Sequence, residues 1–227
     1  MFNARLFIFK KKEKLMKKTL SAIAVAAALF SSFQANAKDG VYVGADLVTS
    51  NAEWKYGGNI GTVGATAQRR VDGTSVGAGA TVGYKKSFNG AFIAPELFYD
   101  YLNSSTHDYY YNNPGYKQDS LELRSRYGAK ANLGYNFSDK FSAYATYGLA
   151  SIDHVDHFPT ATSVSRSQGK WKTAAIYGLG AVFNINENWG IKAEFNTQRF
   201  NVPYSYDAGV MSKVRLNVLK TGVVYSF

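Results

Sequence analysis

Glu122, Arg124, Arg126 and Lys130 recur at even spacing along one stretch of the chain, as do Glu96 and Asp100 in a second and Lys192 and Glu194 in a third. On an extended strand alternate side chains share a face. These residues therefore read as charged faces of three strands. Opposite charges two apart on a strand, or facing across neighbouring strands, pair readily. Charges taken out of water need such partners. Two kinds of chemistry are open to them. One is a static salt-bridge network that fills an interior. The other is a polar gate whose pairs exchange and briefly conduct. Asp46, Lys172 and Lys220 fall on the same kind of face and extend the set.

Other chemistry is thinner. His154-Val155-Asp156-His157, with Asp153, offers metal-ligand types. One short cluster in a serine- and threonine-rich stretch does not make a rigid four-ligand site. No metal or other cofactor is expected. His157 with Ser163 or Ser165 is the nearest approach to a nucleophile and base. No motif surrounds it, so no catalytic residue is assigned and the chain is not read as an enzyme. His107 lies apart in another loop. Cysteine is absent, which excludes thiol and disulfide chemistry. Recognition is better supplied. Tyr109, Tyr110 and Tyr111 precede Asn112 and Asn113, and Tyr204 and Tyr206 flank Ser205. Tyrosine gives large contact area at low entropy cost, and Asn and Ser adapt their hydrogen bonds. Arg69 and Arg70 could pair with phosphates.

The elements that must position these groups are strands. Alternating segments run at 40–50, 75–85, 91–102, 120–135, 141–152, 171–184, 189–200 and 213–227. Each is long enough to cross a hydrocarbon layer at a tilt, which takes about 9–11 residues. In the fourth, Leu121, Leu123, Tyr127, Ala129, Ala131, Leu133 and Tyr135 share one face, and Glu122, Arg124, Arg126 and Lys130 share the other. A soluble sheet turns the apolar face inward. A membrane barrel turns it outward.

Three features favour the membrane. Tyr84, Tyr135, Phe141, Phe183, Trp189 and Phe227 flank short turns, and Tyr99, Tyr101, Tyr147 and Tyr177 lie further along their strands, as two aromatic girdles would. Glycines such as Gly77, Gly79, Gly83, Gly178 and Gly180 alternate on the charged face, leaving room for long side chains. Short turns near 87–90, 136–140 and 184–188 alternate with long polar segments at 51–74, 104–119, 153–170 and 201–212, read as loops. The expected fold is all-β: an eight-stranded antiparallel up-and-down transmembrane barrel. The last strand breaks parity, with Leu219 to Phe227 on one phase and Val214, Leu216 and Val218 on the other. A bulge near Asn217 would reconcile them.

Met16-Lys17-Lys18, the apolar stretch to Phe33 and Ala35-Asn36-Ala37 read as an export signal cleaved after Ala37, with Met16 the expected start. Residues 1–37 are then a leader and 38–227 one barrel domain. The net charge of +10 drops to +4 without the leader, too small and too dispersed to argue for nucleic acid. Mean hydropathy is mildly negative, as suits strands with one polar face.

Ala35-Asn36-Ala37, the opening Gly40-Val41-Tyr42-Val43-Gly44-Ala45, Ala94-Pro95-Glu96-Leu97-Phe98-Tyr99-Asp100-Tyr101 and the closing Val224-Tyr225-Ser226-Phe227 together resemble the small outer-membrane barrel superfamily: opacity-protein-like porins, the OmpA transmembrane domain and OmpX/Ail-like surface proteins. The resemblance covers the whole chain after the leader. It implies the outer membrane of a Gram-negative bacterium, with outer-membrane lipid and lipopolysaccharide as surroundings and the barrel-assembly machinery as partner. Tyr225 and Phe227 would be the assembly signal. It further implies host-surface contact in some members and weak or gated conductance in others. The expectation is a monomeric surface protein with an envelope-structural and adhesive role. The alternative is a narrow pore for small solutes.

Overall fold

The computed structural model describes residues 39–59, 66–108, 119–159, 164–166, 170–203 and 211–227. The expected leader lies outside them, as do Tyr109, Tyr110, Tyr111, Tyr204 and Tyr206. The strands are β1 (Gly40–Asn59), β2 (Thr66–Phe88), β3 (Ala91–Asp108), β4 (Asp119–Asn136), β5 (Phe141–Pro159), β6 (Val164–Arg166), β7 (Lys170–Asn184), β8 (Trp189–Pro203) and β9 (Met211–Ser226). Each long strand pairs antiparallel with the next, β4 pairs β5, and β9 returns to β1. The short β6 pairs with β5 beside the ring. The result is a closed eight-stranded antiparallel barrel, whose interior is just wide enough for side chains to fill.

Turn chemistry sets one end. Between β2 and β3, Asn89 (φ 49°) and Gly90 (φ 89°) both adopt left-handed backbone, the two-residue hairpin geometry whose twist matches the flanking strands. In the β7–β8 turn the Trp189 N–H donates to Asn186 Oδ1 at 2.8 Å. The Phe227 N–H donates to the Val41 carbonyl at 3.0 Å, tying the last residue to the first strand.

The outer wall is apolar over its middle. Leu47, Leu97, Leu133, Leu149, Leu179 and Ile191 are all exposed, Leu179 by 68%. Tyr84, Tyr135, Phe141, Phe183, Trp189 and Phe227 ring the turn end, and Tyr99, Tyr101, Tyr147 and Tyr177 form a second ring. Tyr127 and Trp171 join the second ring, their centroids 5.0 Å apart. A continuous apolar belt of this extent is unsustainable in water and is what lipid requires.

At the far end the strands do not stop where the polar segments begin. β1 and β2 remain paired up to Asn59 and Thr66, and β3 and β4 up to Asp108 and Asp119. Of the segments read as loops, residues 51–59, 66–74, 104–108 and 153–159 are strand. Two ladders end early: β2–β3 at Ala78 and Tyr101, and β7–β8 at Ile176 and Gln198. Above Ala78, β2 and β3 stay side by side: Ser75 Oγ donates to the Leu102 carbonyl at 2.8 Å, and a Cβ on Gly73 would lie 2.7 Å from the Ser105 carbonyl oxygen. Inside this end Val48, Ala52, Trp54, Phe200, Val202, Val214, Leu216 and Val218 of β1, β8 and β9 pack on Leu102, Leu121, Leu123 and Ile152 of β3, β4 and β5. The far end of the barrel is thus filled by an apolar core.

That core corrects two expectations. β9 carries no bulge: its register runs unbroken from Lys213 to Ser226 against β1 and from Met211 to Tyr225 against β8. Val214, Leu216 and Val218 point inward because the interior there is apolar. The irregularities lie in β3, between Tyr101 and Ser104, where Asn103 adopts φ 47°, and in β4, between Leu123 and Ser125. The second reverses the parity of β4, so that Leu121 and Leu123 are buried inside together with Arg126 and Lys130.

Candidate functional site

Below the apolar core the interior turns ionic. Four carboxylates, Asp46, Glu96, Asp100 and Glu194, face four cations, Arg126, Lys130, Lys192 and Lys220, all buried. Arg126 Nε donates to Asp100 Oδ2 at 2.8 Å, and Lys220 Nζ lies 2.7 Å from Asp100 Oδ1 and 3.6 Å from Asp46 Oδ2. Lys192 reaches the same Asp46 oxygen at 3.0 Å. Lys130 holds Glu96 at 2.9 Å and donates to Glu194 Oε2 at 2.6 Å. Six of the eight sequence-predicted charges are thus brought together: Glu96, Asp100, Arg126, Lys130, Lys192 and Glu194.

Glu122 and Arg124 are not among them. The β4 irregularity turns both to the outer surface, where Arg124 Nη2 donates to Glu122 Oε2 at 3.3 Å with both side chains about a third exposed. Alternation alone assigned them inward. One inserted residue is enough to move a charged pair from lumen to surface.

Neutral groups missed in the sequence complete the layer. The Tyr42 hydroxyl donates to Glu96 Oε2 at 2.9 Å and the Tyr144 hydroxyl to Glu194 Oε2 at 3.0 Å. Asn132 and Asn196 donate to Glu96 and Glu194, and Thr146 donates to Asn132. Reading aromatics as outward by default hid both tyrosines, although Tyr42 shares parity with Asp46 and Tyr144 with Thr146. The Phe98 ring sits amid the cations, 4.9 Å from Lys220 Nζ, 5.4 Å from Arg126 Cζ and 5.6 Å from Lys130 Nζ. Its electron-rich face is a neutral neighbour that cations accept. Glycine makes the space: a Cβ on Gly79 would lie 2.6 Å from Asp100 Oδ1, and one on Gly180 would lie 2.3 Å from the Tyr144 ring.

Towards the turns the interior opens into a vestibule of about 340 Å³, lined by Tyr42, Lys85, Phe92, Glu96, Asn136 and Tyr144 among others. It ends at the ion-pair layer. Arg126, Asp100 and Lys220 have no solvent-accessible surface, and the apolar core lies beyond them.

His154 is buried beside Phe200, with ring centroids 6.5 Å apart. No group of three or more metal-ligand side chains is found among the described residues. Tyr225 stacks edge-on against both Trp189 and Phe227, each at 5.0 Å.

The model of the outer membrane protein beta-barrel domain matches residues 20–227. The chain belongs to that family. Curated relatives include the 31 kDa outer-membrane immunogenic proteins of Brucella melitensis biotype 1 and Brucella suis biovar 1. Each is 28% identical over 104 residues, 43% of this chain and 43% of the relative. The match therefore spans less than half the length of those relatives. Similar solved structures include OprG of Pseudomonas aeruginosa (13% identity, TM-score 0.49, covering 84% of this chain and 97% of that one). Neisserial surface protein A follows (16%, 0.45, 83% and 97%), and so does Ail of Yersinia pestis (14%, 0.40, 81% and 99%). Family membership places the chain in the outer membrane of a Gram-negative bacterium. In such barrels the short turns are periplasmic, which puts the far end outside.

Proposed function

We propose that this outer-membrane protein works through its outer surface, as an envelope-structural and adhesive surface protein, and not through its lumen. The observation that carries the reading is the double closure of the interior. An ion-pair layer with balanced charge is capped by an apolar core, and the vestibule below it opens to the periplasm. Paired strands extended beyond the belt instead offer a rigid platform for the tyrosine-rich segments around Tyr109–Tyr111 and Tyr204–Tyr206. The name of the Brucella relatives, outer-membrane immunogenic protein, fits a surface open to antibodies. In this reading a host surface ligand meets those segments, the protein acts as a monomer, and Tyr225 and Phe227 present the signal taken up by the barrel-assembly machinery.

Single-channel recording of the purified protein in a planar bilayer tests the reading. A silent or briefly flickering barrel is expected. Steady, reproducible openings would show that the buried pairs line a water path and would make the narrow pore the function.

A further inference from the structure

On β8, β9, β1 and β2 the lipid-facing residues give way to charge within a few positions. Phe195 is followed outward by Thr197 and Arg199, Leu219 by Asn217, Arg215 and Lys213, and Val76 by Thr74, Asp72 and Arg70. At about 3.3 Å per residue and a tilt of about 40°, Arg199 stands about 10 Å above Phe195 along the membrane normal. That is headgroup depth. The side chains still point sideways, away from the barrel, and Arg199, Lys213, Lys55 and Arg70 are exposed.

The cross-strand register places like charges directly opposite one another. Arg199 faces Arg215, Lys213 faces Lys55, and Lys55 faces Arg70. Such pairs are destabilising unless an anion lies between them. The protein supplies one. Glu53 lies 2.9 Å from Lys55, 3.4 Å from Arg70 and 3.6 Å from Arg215, and its side chain is only 7% exposed. Five cations against two carboxylates, covered Glu53 and Asp72 at the edge, leave a net charge of +3. On the opposite wall the outward-facing described residues at this level, Asn103, Glu122, Arg124, Asp153 and Thr173, carry two carboxylates and one cation.

We propose that Arg199, Lys213 and Arg215, with Lys55 and Arg70, form a site on the outer wall for the phosphates of an outer-leaflet glycolipid, the phosphorylated disaccharide of lipopolysaccharide. Arginine pairs with phosphate through two parallel N–H bonds. The acyl chains of such a lipid would lie along Phe195, Leu219 and Val76 directly below. The lateral aim of the patch and its seat on the apolar belt select a lipid over a partner arriving from water.

The test is native mass spectrometry of the protein purified from outer membranes, delipidated, and offered diphosphorylated lipid A or the same lipid with its phosphates removed. Arg199→Gln/Lys213→Gln/Arg215→Gln is compared with a control that removes as many charges elsewhere, Lys140→Gln/Lys170→Gln/Lys172→Gln. Heat-modifiable gel mobility verifies folding. Wild type and control should retain one diphosphorylated lipid, the patch variant should bind at least tenfold more weakly, and dephosphorylated lipid should be held poorly by all. Equal retention by wild type and patch variant, or equal loss in the control, overturns the site. So does a patch variant that loses only a water-borne sulfated oligosaccharide. Should the triple variant not fold, Arg199→Gln alone, which removes none of the ion pairs described, is expected to weaken binding several-fold, and unchanged binding would overturn the site.

Discussion

Gln198 on β8 donates from Nε2 to the carbonyl oxygen of Ala150 on β5 at 2.8 Å, reaching past β7, whose Ala174 carbonyl lies at 3.4 Å. This occurs where the β7–β8 ladder ends. A side chain spans the gap that backbone pairing leaves, at the level where that ladder stops. Gln198→Leu removes this tie and should cost about 0.5–1.5 kcal/mol. Urea unfolding in detergent would measure the loss. Hydrogen exchange should rise first in β7 between 170 and 176, and an unchanged midpoint would show that the contact contributes nothing.

Lys130 serves both Glu96 and Glu194. Lys130→Met strands two buried carboxylates and should destabilise by about 3–5 kcal/mol. Lys192→Met should cost less, because Asp46 keeps Lys220. Glu122→Gln, on the half-exposed surface pair, should stay within about 1 kcal/mol. Equilibrium unfolding of the three variants gives the order. A Glu122→Gln cost matching that of Lys130→Met would return that pair to the interior.

The parity of these charges marks how far alternation carries. Within the lipid belt it placed strands, girdles and lumen charges from residue types alone, because lipid forces apolar side chains outward on every strand. Beyond the belt water restores the opposite rule, and the same strands must bury apolar residues inward. β4 makes the change with one extra residue near Arg124. β9 makes it without one, by carrying apolar residues on both faces around Val218 and Leu219. Nothing local in either sequence announces which device is used. The choice depends on where each strand leaves the membrane relative to its neighbours.

Hydrogen bonding from Lys55, reinforced by the charges of Arg70 and Arg215, holds the Glu53 carboxyl below the usual carboxylate range despite its burial. A folded-state value below the unfolded one adds stability above the ordinary carboxylate pKa, and that stability is lost as pH falls through the depressed value. Wild type should therefore lose stability below about pH 4.5, and Glu53→Gln should lose less over the same interval. Parallel acid profiles for the two proteins would remove Glu53 from the account.

Phe227 carries an exposed ring against Tyr225 and a backbone bond to Val41. If the assembly machinery reads this end, Phe227→Ser should lower outer-membrane levels in cells while leaving refolding in detergent nearly unchanged. The polar substitution keeps the backbone bond, so equal loss in both assays would indicate a packing role instead.

The pairing of Val43 with Tyr225 joins positions about 180 residues apart, whereas the other ladders of the ring link strands that follow closely in the chain. Loop-closure entropy grows slowly with length, but non-local contacts form late. Hairpins can therefore assemble in sequence as a growing curved sheet, with β1 and β9 as its two free edges. Until β9 docks, the buried ion pairs of Lys220 cannot form and the edges stay open to other chains. The step that completes the lumen is thus also the step that removes the hazard of aggregation, and it waits for the last strand of the chain.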